Sequence, residues 1–124
     1  MNNIFKIIIL TILSIQMLEA RNPKAEAMAR LIVENINKAE KIIGKNPNMD
    51  IKTYNIGYKV IHDRTEHNYN AYEISENTYL YRQQIETEYC NVFKLVKDKY
   101  DVEFVFNVYG NNNKKAFTHI LNCN

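Results

Sequence analysis

Apolar residues recur at spacings of three and four from Ala25 onward: Ala25, Met28, Ala29, Ile32, Ile36, Ala39 and Ile43. That period puts them on one face of a helix. Asn22-Pro23 supplies a cap and a residue suited to the first turn. Glu26 and Glu34 stand four residues ahead of Arg30 and Lys38 on the solvent side. Gly44 and Pro47 end the helix. The period then becomes two. Tyr54, Ile56, Tyr58 and Val60 alternate with Thr53, Asn55, Gly57 and Lys59, which predicts a strand. Tyr72 and Ile74, set against Ala71 and Glu73, predict its antiparallel partner. The segment "HDRTEHN" between them is then a polar hairpin loop.

Helical spacing returns after Asn77-Thr78. Ile85, Tyr89, Val92, Phe93, Val96 and Tyr100 mark the buried stripe, with Cys90 at its edge and a break expected near Asn91. Two more alternating runs follow, Val102 to Val108 and Ala116 to Cys123. Gly110 and the asparagines of "YGNNNKK" suit the hairpin turn between them. The order is αββαββ. It predicts an α+β domain with a four-stranded antiparallel sheet and its helices packed on one face.

The first twenty residues follow different rules. Lys6 precedes an apolar run, Ile7 to Ile15, and no further charge appears before Glu19. A basic flank and a short apolar core predict a signal peptide over 1–20, with cleavage after Ala20 and a single exported domain over 21–124. The core falls short of the roughly 20 apolar residues a spanning helix needs. No stable membrane span is therefore expected after cleavage; an uncleaved anchor is the alternative.

Losing Lys6 and Glu19 leaves the net charge at +2. That mild, mixed balance excludes an electrostatic nucleic-acid footprint. Lys94, Lys97 and Lys99, interrupted by Asp98, read as a solvated helix face. The two cysteines, Cys90 and Cys123, both follow the leader. In an oxidising compartment they predict one disulfide, contributing about 3.5–4 kcal/mol by loop-closure entropy. Cys123 shares a strand face with Phe117 and Leu121, so it reaches Cys90 if that face meets the second helix. A pair of metal-binding or catalytic thiols is the competing reading.

The leader, the αββαββ order, "EYCNVF" in the second helix and the closing "VEFVFNVYGNNNKKAFTHILNC" together resemble a group of small bacterial periplasmic or secreted proteins. Those join a helical cysteine to one at the end of the last strand. The resemblance implies a periplasmic or secreted location and an α+β fold. It supplies no catalytic residues and no cofactor. Members tend to break the helix after the cysteine with a Gly-containing turn, whereas "CNVFKLVKDKYD" contains neither Pro nor Gly.

Candidate chemistry centres on His62, Glu66 and His67. The helical zinc motifs are H-E-x-x-H and H-x-x-E-H; here the string is H-x-x-x-E-H. The two histidines stand about 140° out of alignment on a helix, and a catalytic zinc needs a third ligand, for which only His119 offers itself. Ser75 and Thr118 lack a nucleophile elbow. Glu86 and Glu88 face different directions on a helix. The most unusual feature of composition is nine tyrosines. Tyrosine covers apolar surface while its hydroxyl stays wet, which suits interfaces. Tyr54, Tyr58, Tyr69 and Tyr72, around the first predicted hairpin, are the candidate partner-binding residues. Tyr69, on the opposite strand face from Tyr72, is the better exposed contact. The leading expectation is a non-enzymatic exported protein that binds another protein in the envelope or outside the cell, with no cofactor. The alternatives are a small-molecule or lipid carrier with a pocket between sheet and helices, and a metal-dependent hydrolase using the His62-Glu66-His67 loop.

Overall fold

A computed structural model describes residues 23–123. The expected signal peptide over 1–20, its cleavage site and the Asn22 cap lie outside the described residues. Helix α1 spans Pro23–Ile43, strand β1 Met49–Ile56, strand β2 Lys59–Glu66, helix α2 Ala71–Ser75, helix α3 Thr78–Tyr100, strand β3 Glu103–Tyr109 and strand β4 Lys115–Ile120. The fold is α+β. Its sheet has the order β1-β2-β3-β4 and is mixed: β1–β2 and β3–β4 are antiparallel, whereas β2 and β3 run parallel.

The wholly antiparallel expectation fails at three places, each with a local cause. First, the alternation from Thr53 to Val60 runs through a turn rather than along one strand. Ile56 pairs with Lys59, and Gly57 takes φ 59°, as a two-residue hairpin with glycine at its first central position requires. Such a turn exchanges faces, so Tyr54 points to the open face while Val60 points to the core. Second, "HDRTE" is not a hairpin loop. It is the second half of β2, with His62, Arg64 and Glu66 buried. Third, Ala71–Ser75 is helical. The Asn70 side chain accepts the Glu73 N–H, and the Glu73 carboxylate accepts the Asn70 N–H, both at 2.9 Å. This reciprocal capping box outweighs four residues of alternation. Helix α3 also continues unbroken past Asn91, whose side chain donates to the Thr87 carbonyl one turn back.

With β2 extended, both helices and the core fall on one sheet face. Val60, Phe104, Phe106, Val108, Phe117 and Leu121 from the sheet meet Ala25, Ala29 and Ile32 of α1 and Ile85 of α3. Ring packing carries the contact: Phe93 stacks on Phe104 at 4.6 Å, and Tyr89 tilts onto Phe106 at 4.8 Å. Asn37 of α1 donates from its amide to the Thr53 carbonyl at 3.4 Å, linking α1 to the outer strand. A disulfide joins Cys90 of α3 to Cys123 beyond β4. Lys94 and Asp98 form an exposed i,i+4 ion pair on α3, as a solvated face should.

Replacing both cysteines by Ala is expected to lower unfolding stability by about 2–5 kcal/mol. Chemical denaturation of the oxidised protein and the double variant measures this directly. A difference below about 0.5 kcal/mol would show that the crosslink is mechanically idle.

Candidate functional site

The chain leaves β2 at Glu66 and passes through an exposed segment, His67 to Tyr69, into α2. The turn between β3 and β4 fixes that segment in place. The Asn111 N–H donates to the Tyr69 carbonyl at 2.8 Å, and its side-chain amide to the His67 carbonyl at 3.2 Å. Ala71 N–H donates to the Asn112 side chain at 3.3 Å. Beneath them lies Gly110, where a Cβ would come within 2.2 Å of the Ala71 nitrogen. Only glycine permits this backbone approach.

The result is a step between α2 and α3 enclosing a concavity of about 530 Å³, lined by Tyr69, Tyr72, Glu73, Glu76, Asn77, Leu80, Tyr81 and Gln84. Tyr69 is 49% exposed, Tyr72 70% and Leu80 59%. Of the four predicted partner-binding tyrosines, the structure brings Tyr69 and Tyr72 together here. Their expected separation onto opposite strand faces is replaced by a loop and a helix that share one hollow. Tyr54 and Tyr58 lie elsewhere. Tyr54 is half-buried on the open sheet face, and its hydroxyl donates to Asp63 at 2.9 Å. Burial and that bond push its phenol up to about 12. Tyr58, in the β1–β2 turn, packs against the edge of the core.

The open face carries a hydrogen-bonded row across three strands and their neighbour. The Asn107 amide donates to Asp63 at 2.8 Å, and the Thr118 hydroxyl donates to the Asn107 carbonyl oxygen at 2.7 Å. With Tyr54, four side chains from β1 to β4 are locked in sequence.

The inner face holds an unexpected set of polar groups. His62 and Glu66 lie four apart on β2, about 13 Å along a strand. His67 has the opposite parity, is exposed, and pairs with Asp50 at 3.1 Å. That contact raises His67 and lowers Asp50. The three residues of the proposed metal loop therefore do not converge. Among the described residues no group of three His, Cys, Asp or Glu could hold a metal ion. His62 has its Nδ1 3.3 Å from the Thr53 hydroxyl, and among the described residues neither its Nε2 nor the Arg64 Nε has a hydrogen-bond partner. Burial, aided by Arg64 and opposed by Asp63, holds His62 down at about 4. Tyr89 lies over this row, its phenol raised by burial, with Arg64 pulling the other way.

His119 is buried with both ring nitrogens engaged. Arg82 donates to Nδ1 at 3.0 Å, so the proton sits on Nε2, which donates to Glu86 at 2.9 Å. The imidazole clamps α3 to β4 and has no free nitrogen for base chemistry, and Cys90 is oxidised. Nor do the concavities described lie between sheet and helices: the first flanks α2, and the second, about 390 Å³, lies beside Lys52, Asp63, Thr65 and Tyr109 on the open face.

Sequence reasoning missed the α2–α3 step. Its signals were present: Asn70-x-x-Glu73 is a helix-start pattern, and the asparagines after Gly110 are anchors as well as turn residues. Comparison with known protein families, curated proteins and solved structures finds no match to this chain.

Two outcomes test this geometry. Gly110→Ala is expected to destabilise the fold by about 1–3 kcal/mol and to shift the amide resonances of Tyr69 to Ile74; a silent spectrum there would contradict the close approach. The second concerns pH. Between pH 6.5 and about 4 the unfolded chain takes up a proton at His62 that the folded chain refuses. The His62 contribution to stability is then complete above pH 6.5 and is lost as pH drops through that window. The shift corresponds to about 3 kcal/mol; His67, raised by its contact with Asp50, adds stability as pH falls toward 6.5, above this window, and Asp50, lowered by the same contact, loses it only below its ordinary value of 3.8. Urea midpoints across that range should decline with acid, and His62→Leu should flatten the decline.

Proposed function

We propose that this chain is an exported, non-enzymatic protein that binds another protein in the envelope or outside the cell, through the concavity between α2 and α3. The observation that carries the reading is the gathering of Tyr69, Tyr72 and Leu80, all exposed, around one hollow. Large aromatic side chains in a concave patch with polar neighbours are the composition of interface anchors. Their backbone support is fixed: a capped helix, a glycine-tight contact and an asparagine-pinned segment hold the chain beneath the rings in place before any partner arrives. Rigid presentation reduces the ordering cost of association.

Several features support the location. An intramolecular disulfide is compatible with an oxidising compartment. The basic, then apolar, N-terminal run and the likeness to small periplasmic or secreted proteins point the same way.

A photo-crosslinking residue placed at Tyr72 tests the reading in the native host. A discrete adduct is expected from Tyr72 and not from Asp98 on the exposed side of α3. Leu80→Asp, which leaves the core untouched, should lower the adduct yield about tenfold or more. Equal adducts from both positions, or none from Tyr72, would remove this surface as the docking site.

A further inference from the structure

The same concavity carries a charge signature that names its occupant. This step rests on reading the α2–α3 hollow as a docking site and concerns the chemistry of what enters it. Three phenol rings, Tyr69, Tyr72 and Tyr81, line the hollow together with the carboxylates Glu73 and Glu76. Among the described residues no basic side chain shares the lining. Glu73 has one oxygen committed, since Oε1 accepts the Asn70 N–H. Its other oxygen is open. Glu76 caps α2 through its backbone, and its side chain makes no hydrogen bond or ion pair among the described residues. The buried Glu66 also acts on Tyr81, raising its phenol beyond what burial does, while Arg64 pulls the other way. Asn77 and Gln84 add amide oxygens at the margin.

The carboxylates carry full negative charge, and an aromatic ring is negative over its face. An apolar occupant would strip water from two carboxylates and pair neither. An anion would be repelled. A cation suits both kinds of wall. Among protein cations, arginine suits them best: its flat guanidinium stacks on an aromatic ring while its forked N–H groups reach carboxylate oxygens. Lysine offers a compact, strongly hydrated charge that must give up more water to sit against the rings. A quaternary ammonium would contact the rings yet leave both carboxylates without a hydrogen-bond donor.

We propose that the α2–α3 concavity is an arginine receptor: it seats an arginine side chain of a partner protein against Tyr69, Tyr72 and Tyr81, with its N–H groups directed to Glu73 and Glu76. The partner segment is then basic, and its association weakens as salt rises.

The test titrates isotope-labelled, disulfide-intact protein with acetyl-Gly-Arg-Gly-amide. The same peptide with lysine, the same peptide with neutral citrulline, and tetramethylammonium serve as comparisons. Saturable amide shifts confined to Tyr69, Tyr72, Glu76 and Leu80 are expected for the arginine peptide, with a Kd in the millimolar range. Lysine should bind several-fold more weakly and citrulline not at all. Glu76→Gln and Tyr72→Ala, both at exposed side chains, should each weaken binding about three- to tenfold while resonances of the core stay in place. No saturable shift with the arginine peptide overturns the proposal, and so does equal binding by citrulline, lysine or tetramethylammonium. Should the Tyr72 crosslink still capture a partner while the arginine peptide fails, the docking surface stands and the arginine assignment alone falls. If both fail, the hollow is not a docking site.

Discussion

The parallel pairing of β2 with β3 governs the rest of the architecture. Parallel neighbours cannot be joined by a tight turn, so the chain must travel back along the sheet before β3 begins. Here α3 makes that return, and α2 fills the corner between the end of β2 and the start of α3. The corner would be loose if nothing met it from below. Gly110, at the end of β3, lets the α2 backbone settle directly onto the strand end, and Asn111 and Asn112 bond to it from the following turn. The hollow lined by Tyr69, Tyr72 and Leu80 is thus a by-product of a crossover, made rigid by residues some forty positions away in sequence.

Much of the chain was legible from its pattern. The period of three and four gave α1 and most of α3, because the first half of α1 and one face of α3 pack against one sheet face; Ala39 and Ile43 of α1 and Val92 of α3, expected on those stripes, are exposed. The alternation in Phe104, Phe106 and Val108 and in Phe117, His119 and Leu121 gave the closing hairpin and its inward face. From it followed the position of Cys123 opposite Cys90. What misled was polarity. His62, Arg64 and Glu66 look like loop residues by composition, yet they occupy the buried side of a central strand. Periodicity cannot register a strand whose inward residues are polar. The alternation across Gly57 misled differently, since a two-residue reversal continues the pattern while exchanging its faces. At Ala71 to Ile74, four alternating residues carried less weight than one capping box. The hollow itself joins residues from a loop and two helices, and no single period spans them.

The polar inner row has a physical account. His62 is uncharged in the folded state, which lessens its cost of burial, and Thr53 supplies a partner for one nitrogen. Arg64 lies beneath Tyr89, whose ring also covers His62. At the other edge, His119 has both nitrogens satisfied by α3. The unmatched Nε2 of His62 and Nε of Arg64 remain the least settled groups of the interior, and buried donors without acceptors are costly. Local order around β2 therefore depends on the aromatic cover from α3 as much as on strand pairing.

One contact of α1 bears on solubility. Thr53 sits opposite His62 at a position where antiparallel neighbours do not bond to each other, so its carbonyl points off the free side of β1. An outermost strand with vacant backbone groups is a template on which other chains can assemble into fibrillar stacks. The Asn37 amide occupies that carbonyl at mid-strand, and Lys52 adds a charge beside it. A foreign strand would have to displace a helix side chain before it could zip along β1, so one asparagine guards this border against runaway polymerisation.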